Sequence, residues 1–237
     1  MTGQLIAREA LSEPQCERMR AILQDNFCNV TAEQFYADLA GKNWVILICN
    51  EAGQVVGFST LLLYQATFEG TRIAVIYSGD TIIERDSWGS AALPRTWIQS
   101  VWQLHGEQCA SLPLYWLLIT SGYRTYRFLS VFWREFYPCH SAPTPARMQR
   151  MLECLARDRF GGNYDRAAGV VHLRQPLRAD LLPISENKRR DPHVAFFAAH
   201  NPGYVEGDEL VCVAALTEEN LTPAGRRMVT AGAVGRV

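Results

Sequence analysis

Three β-rich runs follow one another with almost nothing between them: "NWVILICN", "QVVGFSTLLLYQATF" and "TRIAVIYSGDTII". The separating "EAGQ" and "EGT" are short, polar and contain glycine, which suits hairpins. The runs therefore predict a three-stranded antiparallel meander over 43–83. Such a meander needs an apolar cover on each face, and the flanking segments supply it. Upstream, Ser12-Glu13-Pro14-Gln15 and Thr31-Ala32-Glu33-Gln34 carry the side chains that satisfy free N–H groups at a helix start. Cys16, Met19, Ile22, Leu23 and Phe27 follow the first at helical spacing, and Phe35 and Leu39 the second. Downstream, Trp97, Ile98, Val101 and Trp102 mark a helix over 94–108, "PLYWLLIT" a buried strand, and "YRTYRFLSVFWREFYP" an aromatic helix.

The order is helix, helix, three strands, helix, strand, helix, then late strands. That is an α+β plan, with a mixed, mostly antiparallel central sheet flanked by helices. After Pro138 come a loop, an amphipathic helix bearing Met148, Met151, Leu152, Leu155 and Phe160, a turn at "GGNYDRAAG" and a strand at "VVHLRQP". Asp191-Pro192 caps a short helix, "HVAFFAAH", and "DELVCVAAL" is the last strand. Residues 1–222 read as one domain, with 138–167 and 177–205 as insertions and 223–237 as a flexible tail.

Composition removes several classes. The formal net charge is -1 and the densest basic spot is Lys188-Arg189-Arg190, a poor footprint for nucleic acid. No apolar run approaches a membrane span, and the N-terminus lacks the layout of a signal peptide. Seven cysteines, odd in number and without C-x-x-C spacing, read as reduced thiols of a cytoplasmic protein. The histidines 105, 140, 172, 193 and 200 show no metal-ligand spacing, so no metal is expected. Oligomeric state is not readable.

The third β-run enters a turn of small residues, Ser87-Trp88-Gly89-Ser90-Ala91-Ala92, before Pro94 and the helix. Small side chains let backbone amides approach a bulky anion, and the helix start adds a positive end. This junction, together with the element order, resembles the Gcn5-related N-acetyltransferase (GNAT) family. The resemblance implies that the pyrophosphate of an acyl-coenzyme A sits on this loop. It implies Ile83, Arg85, Trp88, Gly89, Ser90, Ala91, Ala92 and Arg95 as the residues around the cofactor. Two departures stand out: Asp86 opens the loop where the family has Gln or Arg, and Trp133 stands where the family has a tyrosine that can protonate the departing thiolate. Tyr123 and Tyr126, on the same helix, can take that role instead.

Acyl transfer to an amine also needs a base. The strand before the loop offers Tyr77, Asp80 and Glu84; strict alternation puts Asp80, Ile82 and Glu84 on one face with Ser78, unless Gly79 marks a bulge. Asp80 and Glu84 are thus the candidate bases. The aromatics over 97–137 suggest an apolar tunnel covered by the methionine-bearing helix. The plan is similar in this to N-acyl amino acid synthases and acyl-homoserine lactone synthases. That implies acetyl-CoA or a longer acyl-CoA as donor, with acyl carrier protein as the alternative, and a small-molecule amine as acceptor. A GNAT-shaped protein that binds a ligand or partner without catalysis is the other reading.

Overall fold

A computed structural model describes residues 1–230 and, in backbone only, 235–236. The described elements are β1 (Thr2–Ala7), α1 (Glu13–Asn26), α2 (Ala32–Ala40), β2 (Trp44–Cys49), β3 (Val55–Phe68), β4 (Thr71–Ile83), α3 (Ala92–Gln108), β5 (Leu114–Thr120) and α4 (Tyr123–Phe132). They continue with α5 (Ala146–Phe160), β6 (Tyr164–Asp165), β7 (Val170–His172), α6 (Glu186–Arg189), α7 (Pro192–His200), β8 (Asp208–Ala215), α8 (Pro223–Thr230) and β9 (Gly235–Arg236). Among the described residues the strands form one sheet in the order β6-β7-β8-β5-β4-β3-β2-β1-β9. The pairs β4–β5 and β1–β9 are parallel and the rest antiparallel. The α+β class, the meander and the order of elements from α1 to α4 are those expected from the sequence.

Helices cover both faces because the strands alternate apolar residues to both. Leu5, Ile46, Ile48, Ile76, Trp116 and Leu118 point to α3, α4, α7 and α8. Val45, Leu47 and Phe58 point to α1 and α2, and Val75, Leu117 and Val213 to α5. The expected caps form: the Gln15 side chain accepts from the Ser12 amide at 2.9 Å, and Thr31 Oγ1 from the Gln34 amide at 3.1 Å.

Four local expectations are corrected. Thr2–Ala7, not anticipated as a strand, pairs along its whole length with β2. The aromatic helix stops at Phe132, and Trp133 and Tyr137 bridge to Leu221 and Val213 in extended backbone; Pro138 disfavours helix in the residue before it. The tail begins with α8, whose Met228 carbonyl accepts from Gln99 on α3 at 2.9 Å; residues 231–234 and 237 of that tail lie outside the described residues. The aromatics do not form a tunnel: Trp97 lies 4.3 Å from Trp116 and 5.8 Å from Trp133, ring centre to centre, and all three are buried. They lock α3 and α4 to the sheet, on the opposite face from α5.

Trp97 is the hub of that cluster, so Trp97→Ala should cost about 3–5 kcal/mol, read as a lower urea midpoint with an unchanged slope. A loss below about 1 kcal/mol would mean the cluster is not the main packing of that face.

Candidate active site

β4 and β5 run side by side only from Ala74↔Leu114 to Ser78↔Leu118. Beyond that point β4 continues along β3 while β5 continues along β8, and the two part. At the parting Trp116 Nε1 donates to Ser78 Oγ at 2.8 Å, which fixes Ser78 to the α3 face. The next residue on β4 is Gly79, and there the register with β3 slips between Ser59 and Leu61. Two residues of β4 oppose one of β3, so alternation resets. Asp80 consequently shares a face with Tyr77, Ile82 and α1–α2, while Ser78 lies on the other. The shared face expected for Ser78 and Asp80 is thereby overturned by the bulge at Gly79.

A cavity of about 430 Å³ fills the gap. Asp38, Asp80 and Glu209 lie on its polar side, and Leu23, Phe27 and Phe35 on its apolar side. The segment 173–182 roofs it, held across the end of α1 by Cys28 N–H to Pro176 O and Arg178 N–H to Asn26 O, both 2.8 Å. Late segments of the chain complete the pocket: Leu173, Leu177 and Leu181 line it, and Phe160 and Arg159 of α5 pack on Tyr77 at its base, at 5.6 and 4.9 Å.

The acids differ in what holds them. Asp38 Oδ2 accepts from Lys42 Nζ at 2.5 Å, one helical turn away, and the Lys42 side chain is wholly buried. Asp80 and Glu209 make no hydrogen bond to protein among the described residues. Each is enclosed by protein, and the part of its surface that stays open faces the cavity. Burial pushes Asp80 up to about 7; Asp38 adds to this and Lys42 opposes it. Burial, with Asp80 and Asp38 nearby, pushes Glu209 up to about 8. The Tyr77 hydroxyl is also held well above its ordinary range, by burial and the same three acids. Two carboxyls pushed up toward neutrality in one cavity mark a candidate proton-handling pair.

The other sequence candidates fall in different places. Glu84 is ion-paired to Arg18 near the surface. Tyr123 lines the cavity. Tyr126 does not: it is fully buried, and its hydroxyl donates to Pro138 O at 2.9 Å. Trp133 lies in the aromatic cluster, away from the cavity. Glu209, Asp38 and Lys42 were not anticipated.

The loop after β4 forms the mouth. A short 3-10 turn over Arg85–Ser87 leads to Trp88, and then to Gly89 at φ +95°, a left-handed backbone that suits glycine. Ser90 Oγ accepts from the Ala92 amide at 3.1 Å, and α3 starts there. Gly89, Ala91 and Leu93 keep amides with no protein acceptor among the described residues, so the loop retains donors for an anion. Arg95 is exposed on the first turn of α3, whereas Arg85 pairs with Asp180. Trp88 turns back: its Nε1 donates to Ile83 O at 3.0 Å and Arg124 lies 3.9 Å over its ring.

A β4 that passes through a donor-bearing loop into α3 agrees with what the family resemblance implies.

No protein-family model matches the chain, and no curated protein matches it. Solved structures with partial likeness include a probable N-acyltransferase from Enterococcus faecalis, with 16% identity over 57% of this chain and 33% of that one, TM-score 0.41. A GNAT family N-acetyltransferase from Escherichia coli in complex with CoA shows 11% identity over 54% and 68%, TM-score 0.40. N-myristoyltransferase from Saccharomyces cerevisiae with bound myristoyl-CoA shows 12% over 51% and 31%, TM-score 0.38. The chain thus spans about a third of the length of the first and the last. Among the described residues no helix is long and apolar enough to cross a membrane, and no group of three or more His, Cys, Asp or Glu side chains is placed to hold a metal ion.

The cavity acids have a consequence for stability. Asp80 has its folded pKa raised, so the folded state binds its proton more tightly than the unfolded chain does. Its stabilising contribution is complete below the ordinary carboxylate range and is lost as pH rises through about 7. Tm should therefore fall between about pH 5 and about pH 8, and fall less steeply in Asp80→Asn. Parallel wild-type and variant profiles would show that Asp80 ionises freely.

Proposed function

We propose that the chain is a divergent GNAT-type N-acyltransferase that moves an acyl group from coenzyme A to the amine of a small molecule. The observation that carries this reading is the position of Asp80. It sits on the strand bulge at the point where β4 leaves β5, enclosed, free of protein hydrogen bonds and titrating near neutrality. A general base for an amine needs that combination, since it must take a proton at working pH and give it up again.

The residues fit an acyl-CoA donor at the mouth. Free amides at Gly89, Ala91 and Leu93, the positive end of a 17-residue helix and the exposed Arg95 suit a diphosphate. An acyl thioester bound there supplies an electrophilic carbonyl carbon and a thiolate leaving group. Asp80 accepts the proton as the amine nitrogen bonds to that carbon. The β5-facing edge of 79–83, unpaired after Ser78, offers backbone N–H groups to the oxygen as charge gathers on it. Tyr123, on the cavity wall, is positioned to return a proton to the sulfur. Tyr126 is spent on Pro138 and Glu84 on Arg18, so neither enters this scheme. Free CoA rather than acyl carrier protein is the donor favoured, because the loop can meet the diphosphate without a protein partner.

The non-catalytic reading draws support from Trp88, whose ring holds the Ile83 carbonyl and stands in the mouth. Two measurements separate the readings. CoA should raise Tm saturably in the wild type. Ser90→Asp keeps a side chain able to cap α3 but sets a charge against the diphosphate, so it should lose that shift while folding normally. In Asp80→Asn, acyl transfer to an amine should fall by about 10²–10⁴-fold with CoA binding intact. CoA binding with no transfer to any amine would favour the non-catalytic protein.

A further inference from the structure

The two ends of the cavity carry opposite electrostatics, and this bears on the acceptor. Four charged side chains line it: Asp80 and Glu209, both enclosed, Asp38, half exposed on α2, and Arg124 at the mouth. Arg124 is stacked on Trp88 and on Tyr123, at 3.9 and 4.8 Å, which keeps it at the donor end. Lys42 is turned onto Asp38 and pairs with it. Asp80 and Glu209 remain, from different strands, both enclosed and both without a hydrogen bond to protein among the described residues. Around them the wall is hydrocarbon: Leu23, Phe27, Phe35, Leu173, Leu177 and Leu181.

From this arrangement we infer that the acceptor is an apolar primary amine carrying no carboxylate, its ammonium seated between Asp80 and Glu209 and its hydrocarbon body against α1, α2 and the 173–182 strap. The inference rests on the acyltransferase reading for its role in the reaction, but not for binding. An ammonium brings three donors and one charge to two carboxyls that have no hydrogen-bond donor of their own, Lys42 acting on Asp80 only through its field. On its arrival both carboxyls can ionise, because the opposite charge favours that form. Asp80 takes one proton from the ammonium, which frees the nitrogen lone pair. As the N–C bond forms and the C–S bond breaks, the second proton lost from nitrogen balances the one that Tyr123 returns to the sulfur. Glu209 is a positioning residue that keeps the nitrogen at Asp80. An amino acid fits badly. Its carboxylate would face Asp80 and Glu209 at close range in a poorly hydrated pocket, and the cavity offers no free cation at that end to receive it. The similarity to N-acyl amino acid synthases therefore does not extend to the acceptor pocket.

The test is equilibrium binding without donor, by calorimetry and thermal shift at about pH 8, using 2-phenylethylamine, hexylamine, phenylalanine and 3-phenylpropionate. Both amines should bind saturably, and phenylalanine and phenylpropionate at least about tenfold more weakly, a difference of about 1.4 kcal/mol or more. Glu209→Gln should weaken the amines by about tenfold, and in turnover should raise KM for the amine more than it lowers kcat. Glu209→Asp should restore part of the loss, which a purely structural role would not produce. Phenylalanine binding as tightly as the amines, or amines that fail to bind a wild type that does bind CoA, would overturn the inference. Amine binding in a protein that ignores CoA would uphold the pocket and sink the donor reading instead.

Discussion

Enclosing a carboxyl group without a partner opposes folding, and this chain encloses two where β4 and β5 separate. An ionised carboxylate in such a place would cost far more than a domain can offset, so the groups take protons and become neutral acids near physiological pH. Everything around them is arranged so that they stay in that state. Trp116 pins Ser78 and ends the shared run of the two strands. Gly79 then allows the bulge that turns Asp80 inward. A Cβ there would lie 2.7 Å from Thr60 Oγ1 and 2.8 Å from Lys42 Cε, so the bulge, the buried lysine and the missing side chain form one packing solution. Lys42 neutralises Asp38 but does not reach into the cavity.

The segment 173–182 gives the pocket its depth. Without 173–182 the gap between the strands would open to water over Phe27 and Leu23, and the acids would regain ordinary hydration. Roofing by Leu177 and Leu181 removes that water, and backbone hydrogen bonds to the end of α1 hold the roof in place. Helix α5 works from below. Arg159 and Lys42 stand at 4.9 and 5.4 Å from the Tyr77 ring, so two cations flank the base of the site without lining it. The field of Lys42 tempers Asp80, and that of Arg159 tempers the Tyr77 hydroxyl.

How much of this is legible in the sequence depends on how local each feature is. The hairpins show in "EAGQ" and "EGT" and the caps in Ser12 and Thr31, because their chemistry is complete within a few residues. Gly79 and Asp80 show as well, since glycine inside an apolar strand marks a place where the ladder breaks. Glu209 does not, because an acid at the start of a strand ordinarily faces solvent; only the pairing of β8 with β5 and β7 brings it under the roof. Asp38 and Lys42 read as an ordinary i,i+4 surface pair, and nothing local says that the lysine is buried. The aromatic cluster misled in the opposite direction. Trp97, Trp116 and Trp133 are far apart in sequence and look like a surplus until the fold packs them ring against ring. Tyr126 and Tyr123 are one helical turn apart, yet one bonds Pro138 and the other faces the cavity.

The polarity of the cavity follows from chain direction. A strand that leads into a helix presents the helix N-terminus, with free amides, beyond the strand's C-terminal end. In this chain that places anion-seeking groups at Gly89–Leu93, just past the last residues of β4. An antiparallel neighbour starts where a parallel strand ends, so β8 delivers its first residues, Asp208 and Glu209, to the same level as Thr120 at the end of β5. The sheet order thus sets a carboxyl opposite the bulge while the loop sets amides at the mouth. On the proposed reading, a ligand pair with a diphosphate on one partner and an ammonium on the other would be aligned end to end by these two fields, with the reacting atoms meeting where β4 leaves β5. The direction of the strands, more than any single side chain, decides which end of the pocket is acidic.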